Sequence, residues 1–239
     1  MTWRPPPAAV DLRPDAVEVW RASLDAAEGD MARFEASLPP EERARADRFA
    51  FPGARRAFVA GRGMLRELLA RYAGGSPASQ EIVADPDGKP RLAGPCGQGR
   101  VRFNASHSGG LWTCAVALHR EVGIDVEAID PSRRIESIMG RYFAPAEAAA
   151  VRGSPDPLRA FHRVWTRKEA WLKARGTGIT VPLDSFEVSA GEEARLVAAG
   201  GRPPGEGAWT LRDLDFGPGF AGALSCEGEV REVRTWRAS

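Results

Sequence analysis

Cysteine is scarce in this chain, and long apolar runs are missing. The 239 residues include three cysteines, Cys96, Cys114 and Cys226, which are widely spaced and form no CxxC pair. This pattern argues against a disulfide scaffold and against a structural zinc site. No stretch approaches the roughly 18 apolar residues of a membrane-spanning helix, and the N-terminal segment has no basic part followed by an apolar one. We therefore expect a cytoplasmic protein without membrane contact.

Net charge is also nearly absent. Lys plus Arg number 33 and Asp plus Glu number 32, in a chain that is 43% hydrophobic and 27% charged. This composition is typical of a globular protein and lacks the positive field with which nucleic-acid-binding domains attract phosphates, so no nucleic-acid partner is expected. Any phosphate ligand needs a local basic cluster. Sequence signatures of P-loop, dinucleotide-binding, HExxH and kinase sites are missing as well.

Helical and β-type patterns alternate along the chain. Residues 53–75 have the apolar spacing of a long amphipathic helix, and the strand patterns VRFNAS, LWTCAVAL and EVGIDVEAI follow it. The second half begins with two helical patterns and continues with SFEVSA, AWTLRDL and FAGALSC. Two rounds of helices followed by strands predict an α+β fold of two similar halves, 1–122 and 123–239, each with a small, mainly antiparallel sheet packed with helices.

The stretch VGIDVE places two carboxylates on one face of a predicted strand. Asp125 and Glu127 are two residues apart, so their Cα atoms are separated by about 6.6 Å at ~3.3 Å per residue. Such a pair can hold a hard divalent cation such as Mg²⁺, which takes one or two protein carboxylates and further oxygens from substrate phosphates. A half-buried strand with a wet acidic face is the alternative interpretation.

The stretch VWTRKEAWLKARGTG predicts a helix with an apolar stripe. Glu169 lies at the border of that stripe, and Lys173 lies one turn further on the same side. Taken alone, this is an ordinary surface ion pair at i,i+4. A functional role for Glu169 and Lys173 would require further charged residues from another part of the chain to lie beside them.

Other polar residues fit a polyanionic ligand or a solvated surface equally well. Ser106 and His107 in FNASHSGG can donate to a phosphate, and Lys89 follows a turn at Asp87-Gly88. A Ser-His hydrolase is disfavoured, because adjacent strand residues point apart and no G-x-S-x-G elbow is present. The N-terminal helical region also carries several arginines: Arg43, Arg45, Arg48, Arg55, Arg56 and Arg62.

In order and spacing, the motifs DGKP, FNASHS, VGIDVE and WTRKEAWLKARGTG resemble those of the surfactin-synthetase-type 4′-phosphopantetheinyl transferases. The resemblance covers residues 87–178, and the flanking PPEERARADRF and FVAGRGMLREL also look like that family. It implies two pseudo-symmetric α+β halves with the active site between them, and a monomer. Glu42 and Asp47 are departures, since relatives often carry a basic residue in that segment.

The resemblance implies a transferase that moves the phosphopantetheine arm of coenzyme A to a serine of an apo acyl or peptidyl carrier protein, releasing 3′,5′-ADP. Asp125, Glu127 and Glu169 would hold Mg²⁺. Glu169, Lys173 and Glu127 would be catalytic; the base would be Glu169, Glu127 or a water on the metal, and Lys173 would assist the departing phosphate. The implied coenzyme A contacts are Arg45, Arg56, Lys89, Asn104, Ser106 and His107.

Two other functions are compatible with the same residues. One is a noncatalytic module that binds carrier proteins or coenzyme A, which the three intact acidic positions disfavour. The other is a Mg²⁺-dependent phosphoesterase that uses the same carboxylates on another diphosphate. The carrier protein, from fatty acid, polyketide or nonribosomal peptide synthesis, stays open, although we expect a role in secondary metabolite biosynthesis.

Overall fold

A computed structural model describes residues 1–26, 28–94, 100–177, 181–202, 205 and 207–238 of the chain. Its helices are Glu28–Ser37 (α1), Pro40–Ala46 (α2), Pro52–Ala73 (α3), Ile135–Tyr142 (α4), Pro145–Arg152 (α5) and Pro157–Arg175 (α6). Its strands are Ala16–Ser23 (β1), Ile82–Ala84 (β2), Pro90–Leu92 (β3), Val101–Ser108 (β4), Leu111–Leu118 (β5), Val122–Ala128 (β6), Phe186–Val188 (β7), Leu196–Ala199 (β8), Trp209–Asp213 (β9), Phe220–Glu227 (β10) and Glu232–Arg237 (β11).

A four-stranded sheet in the order β11-β1-β5-β4 supports the first half. Strand β5 pairs with β1 and with β4 in antiparallel orientation, while β11 pairs with β1 in parallel. Helices α1 and α3 cover one face of this sheet, where Trp20, Phe103 and Trp112 meet Phe34 and Leu65 in one apolar cluster. Gly63 permits the close approach of the two helices, since a Cβ there would overlap the ring of Phe34.

A second, antiparallel sheet in the order β6-β10-β9 supports the other half. The two sheets share an apolar layer in which Val17 and Ala115 of the first meet Ile124 and Leu224 of the second. Helix α6 lies against the second sheet, and Phe161, Trp171 and other residues of α6 form a further cluster with α4, α5 and β7. The resulting order of layers is helices, sheet, sheet and helices.

The predicted α+β class and the small, mainly antiparallel sheets are confirmed. Strand β5 coincides with the predicted LWTCAVAL, and the predicted long helix corresponds to α3. Strand β11 lies in the sheet of the first half, so segment 123–239 contributes one strand to the sheet built by segment 1–122. A domain division at residue 122 stays a prediction.

No helix in the described part of the chain combines the length and the apolar character needed to cross a bilayer. Cys114 and Cys226 are buried free thiols. Cys96 lies outside the described residues.

Candidate active site

Two carboxylates lie side by side on strand β6. Asp125 and Glu127 occupy alternate positions, and Val126 between them is buried in the layer between the sheets, as the alternation predicts. Asp125 is only 3% exposed, and its Oδ1 accepts hydrogen bonds from Lys173 Nζ at 2.6 Å and from Ser106 Oγ at 2.9 Å. Burial raises the pKa of Asp125, while Lys173 and Ser106 act in the opposite direction.

Helix α6 supplies the residues that face these carboxylates. It approaches β6 very closely at Gly123, where a Cβ would lie 2.1 Å from the carbonyl oxygen of Ala170. Glu169 and Lys173 are four residues apart and therefore share one side of α6. The contact between α6 and Gly123 thus brings a lysine and a third carboxylate to the two carboxylates of β6.

Glu169 lies in an electrostatically unfavourable place for an anion. Burial is the largest cause that raises the pKa of Glu169, and the negative charges of Asp125 and Glu127 raise it further, while Lys173 acts to lower it. A carboxylate with a raised pKa is a stronger base than an ordinary glutamate, so the position suits proton removal. Grouped carboxylates of this kind also attract a cation.

The donor set fits a hard divalent cation. Asp125 Oδ2 is buried without a hydrogen-bond partner, and Glu127 and Glu169 add further carboxylate oxygens. Oxygen ligands of this kind are those that Mg²⁺ prefers. Within the described residues, no three His, Cys, Asp or Glu side chains form a ready-made metal cluster. Because Mg²⁺ is often held by one or two carboxylates plus waters and phosphate oxygens, the residues present still fit it.

Strand β4 supports the carboxylates from the other side. Asn104 Oδ1 accepts a hydrogen bond from the backbone N–H of Ile124 at 2.9 Å, and Ser106 reaches Asp125. The structure therefore places Asn104 and Ser106 at the junction of β4 and β6. Their direct contact with a coenzyme A phosphate stays a prediction.

A cavity of about 220 Å³ lies beside this junction, between α3 and β4. Its lining includes Phe58, Arg62, Ser106 and the exposed His107. Arg45 places its guanidinium 5.2 Å from the ring centroid of Phe58, so it lies next to the same cavity. Three of the predicted coenzyme A contacts, Arg45, Ser106 and His107, are thus brought together here.

A second cavity of about 190 Å³ is lined by Lys89, Asn104 and Lys173, and Pro90 lines both cavities. Lys89 is buried, and its Nζ donates to Glu121 at 2.8 Å, to Val122 O at 3.0 Å and to Ala174 O at 2.7 Å. Burial lowers the pKa of Lys89. Since these three bonds use all three N–H groups, Lys89 ties α6 to β6 here, and a phosphate contact would require one of the bonds to open.

Arg56 lies apart from these two cavities. Its guanidinium donates to Glu28 at 2.9 Å and to the carbonyl oxygen of Ala26. Two larger cavities, of about 580 and 420 Å³, share Phe220 but include none of the predicted site residues among the described residues that line them. The two smaller cavities reach Asp125 through its hydrogen-bond partners, since Ser106 lines the first and Lys173 lines the second.

Glu42, a departure from the family pattern, has a structural partner. Its carboxylate accepts hydrogen bonds from Arg62 and Arg66 of α3 and so joins α2 to α3. Burial acts to raise the pKa of Glu42, but the two arginines outweigh it and hold the pKa below its usual value. The acid thereby fixes Arg62, which lines the cavity next to His107.

The sequence analysis did not predict the structural role of Lys168. This side chain is fully buried and donates to Leu183 O at 2.8 Å and Phe186 O at 2.7 Å, while its Nζ lies 2.8 Å from Glu147 Oε2. Glu147 also accepts from the backbone N–H of Val188. The network joins α6 to α5 and β7, next to Glu169. The only feature of the sequence that could have indicated this role is that Lys168 lies outside the row formed by Glu169 and Lys173 on the predicted helix.

The sequence matches two family profiles. Residues 20–119 match the N-terminal region of 4′-phosphopantetheinyl transferases, and residues 121–224 match the 4′-phosphopantetheinyl transferase superfamily. The chain is 37% identical to the 4′-phosphopantetheinyl transferase HetI of Nostoc sp., with 98% of each sequence covered. It is 34% identical to the phosphopantetheinyl transferase of Thraustochytrium sp., covering 80% of this chain and 69% of that one. For Sfp of Bacillus subtilis, a 4′-phosphopantetheinyl transferase, the identity is 25%, with coverages of 69% and 71%.

Proposed function

The chain belongs to the 4′-phosphopantetheinyl transferase superfamily, and we propose that it moves the phosphopantetheine arm of coenzyme A to a serine of an apo acyl or peptidyl carrier protein. The observation that carries this proposal is the meeting of Asp125, Glu169 and Lys173 beside the two small cavities joined at Pro90. The arrangement provides acidic, basic and cationic groups where a diphosphate can reach them.

The reaction replaces the phosphoanhydride bond of coenzyme A by a phosphoester bond to serine. The serine oxygen of the carrier forms a bond to the phosphorus that bears pantetheine, and the bond from that phosphorus to the bridging oxygen breaks, which releases 3′,5′-ADP. Such a transfer needs a proton acceptor for serine and stabilisation of charge on the phosphate oxygens.

We assign Glu169 as the acceptor of the serine proton, because it shares one side of α6 with Lys173 and interacts with the carboxylates of β6. As a ligand of Mg²⁺ it would be a weaker base than the free carboxylate. Lys173 is held by Asp125 and Ser106, with its Nζ 2.6 Å and 3.0 Å from their oxygens, and this fixes a positive charge for the departing phosphate. Asp125, Glu127 and Glu169 would hold Mg²⁺. When bound, the cation would neutralise the diphosphate and polarise the phosphorus.

We assign the first cavity to the nucleotide end of coenzyme A. His107 and Arg62 can donate to phosphate, Arg45 adds a second guanidinium, and Phe58 offers an aromatic surface. Lys173 lines the second cavity, so a ligand that extends from one cavity past Pro90 to the other would bring its diphosphate to the carboxylates.

We also propose the surfactin-synthetase type, in which both halves are fused in one monomeric chain. The two family profiles fall on successive parts of this chain, and HetI is matched over almost its whole length, which supports this assignment. Light scattering is expected to give the mass of one chain, near 25.8 kDa. A stable dimer would contradict the monomer.

The direct test is a transfer assay. Incubation with coenzyme A, Mg²⁺ and a panel of apo carriers is expected to add the phosphopantetheine mass to at least one carrier, detected by mass spectrometry. Chelation of Mg²⁺ is expected to stop the addition. No addition to any carrier would refute the proposal; coenzyme A hydrolysis without a carrier would indicate a phosphoesterase, and tight binding without reaction a noncatalytic module.

The substitution Glu169→Gln tests the part that Glu169 has in the reaction. It keeps the size of the side chain and removes both the proton acceptor and the charge of a proposed Mg²⁺ ligand, so we expect transfer to fall by about 100-fold or more while the thermal unfolding midpoint is retained. Glu136→Gln, at an exposed position on α4, is the matched control. Turnover near that of the unmodified protein would remove Glu169 from the mechanism.

A further inference from the structure

Three polar side chains at alternate positions of β4 meet strand β6. Asn104 accepts from the N–H of Ile124, Ser106 donates to Asp125, and Ser108 Oγ accepts from the N–H of Ala128 at 3.0 Å. Asn104 and Ser108 thereby satisfy N–H groups at the free edge of β6, which pairs with β10 on its other side. Side-chain hydrogen bonds thus take the place of a regular backbone ladder between the two sheets.

The third of these residues also contacts a carboxylate. Ser108 Oγ lies 3.3 Å from Glu127 Oε2 and donates to it, while Arg133 from the segment after β6 approaches the same oxygen at 3.5 Å. Asp125 is held in the same way, with a serine and a cation on Oδ1 and no partner on Oδ2. In both carboxylates, one oxygen is fixed by the protein and the other is left for a ligand.

We propose that Ser108 is a positioning residue that orients Glu127 for the divalent cation. The hydroxyl is well placed for this purpose because the N–H of Ala128 fixes the position of Oγ, whose own hydrogen then points to the carboxylate. Arg133 is partly exposed, and holding its long side chain in one geometry costs conformational entropy, so the serine provides the better-defined constraint. The inference rests on the proposed function, in which Glu127 is a Mg²⁺ ligand.

Ser108→Ala removes the hydroxyl and tests the inference. Because loss of a group that orients a metal ligand typically weakens metal binding by about 10- to 100-fold, we expect the Mg²⁺ concentration for half-maximal transfer to rise by at least about tenfold. The KM for coenzyme A is expected to stay within about twofold, since Ser108 is not among the lining residues of the two small cavities. Calorimetric titration of Mg²⁺ into the protein with coenzyme A is expected to show the same loss of affinity.

Two comparisons separate orientation from general destabilisation. Ser108→Thr keeps the hydroxyl and is expected to retain Mg²⁺ affinity, whereas Ser108→Val has nearly the same shape without it and is expected to lose affinity. Ser137→Ala, at an exposed serine of α4, is the matched control and is expected to leave Mg²⁺ affinity unchanged.

An unchanged Mg²⁺ affinity in both Ser108→Ala and Ser108→Val would overturn the inference. Equal loss in the Thr and Val variants would also overturn it, because the hydroxyl would then be irrelevant. Failure of the unmodified protein to modify any carrier would instead refute the proposed function, and calorimetry would still compare Mg²⁺ binding by the variants.

Discussion

Gly123→Ala is expected to weaken both the fold and the transfer reaction. A Cβ at this position of β6 would lie 2.1 Å from the oxygen of Ala170 and 2.3 Å from the nitrogen of Ala174. Both are backbone atoms of α6, so a side-chain rotation cannot relieve the overlap. Either the helix or the strand must move.

The size of the effect follows from these distances. Restoring an ordinary contact of 3.4 Å with the Ala170 oxygen requires a relative displacement of about 1.3 Å. Overpacking of a tightly packed interior typically costs about 1–3 kcal/mol of unfolding free energy. Glu169 and Lys173 move with α6, and a misplacement of about 1 Å at a catalytic group can reduce the rate about 100-fold.

Urea unfolding and the carrier transfer assay measure the two effects. Gly140→Ala is the matched control, because a Cβ at this α4 position meets nothing within 4 Å. We expect that control to keep the turnover and to lose no unfolding free energy, with a gain of up to about 1 kcal/mol because alanine has the higher helix propensity. If Gly123→Ala also kept both, the close approach of α6 and β6 would not be what positions Glu169 and Lys173.

Two further substitutions test the ion pairs. Lys168→Met leaves Glu147 as a buried carboxylate without its cation, so urea unfolding is expected to show a loss of about 3–5 kcal/mol in unfolding free energy. The double variant Lys168→Met/Glu147→Gln is expected to lose less unfolding free energy, because no unpaired carboxylate remains. An equal or greater loss in the double variant would contradict a stabilising interaction between Lys168 and Glu147. Glu42 has a lowered pKa in the folded protein, so its contribution to stability is complete above about pH 4.3 and is lost as pH falls through the folded value. The difference in unfolding free energy between the unmodified protein and Glu42→Gln should therefore shrink between neutral pH and about pH 3, and a constant difference would contradict this linkage.

Elements with a strong local pattern were predictable. The long helix α3 buries Val59, Met64, Leu65 and Leu68 on the predicted side. Strands β4, β5 and β6 also lie where the sequence pattern places them. Their apolar residues repeat at the period of a helix or a strand, so the signal is contained within a short segment.

Strands β1 and β11 were missed for a physical reason. They pair in parallel, with Ala16 opposite Glu232 and Arg21 opposite Arg237, although more than 200 residues separate them. A parallel pair requires a long connection, and neither strand alone has a turn or hairpin signal that points to the other. Their pairing depends on how the two sheets stack.

The candidate site was predictable in part. Asp125 and Glu127 follow from strand alternation, and Glu169 and Lys173 follow from helical spacing. Lys89 was predicted as a phosphate contact, but the structure places it in three protein hydrogen bonds. Such a partner assignment depends on which backbone carbonyls lie nearby, and spacing along the chain does not contain that information.

The motif VWTRKEAWLKARGTG shows where the two kinds of information divide. The sequence by itself determined the helix, its apolar stripe and the row of Glu169 and Lys173, because each depends on spacing within a few turns; Gly178 lies outside the described residues. Only the tertiary structure decided that Lys168 is a buried structural residue and that Lys173 contacts Asp125. The physical reason is that the environment of each side chain depends on elements distant in sequence, and Gly123 of β6 sets how closely they approach.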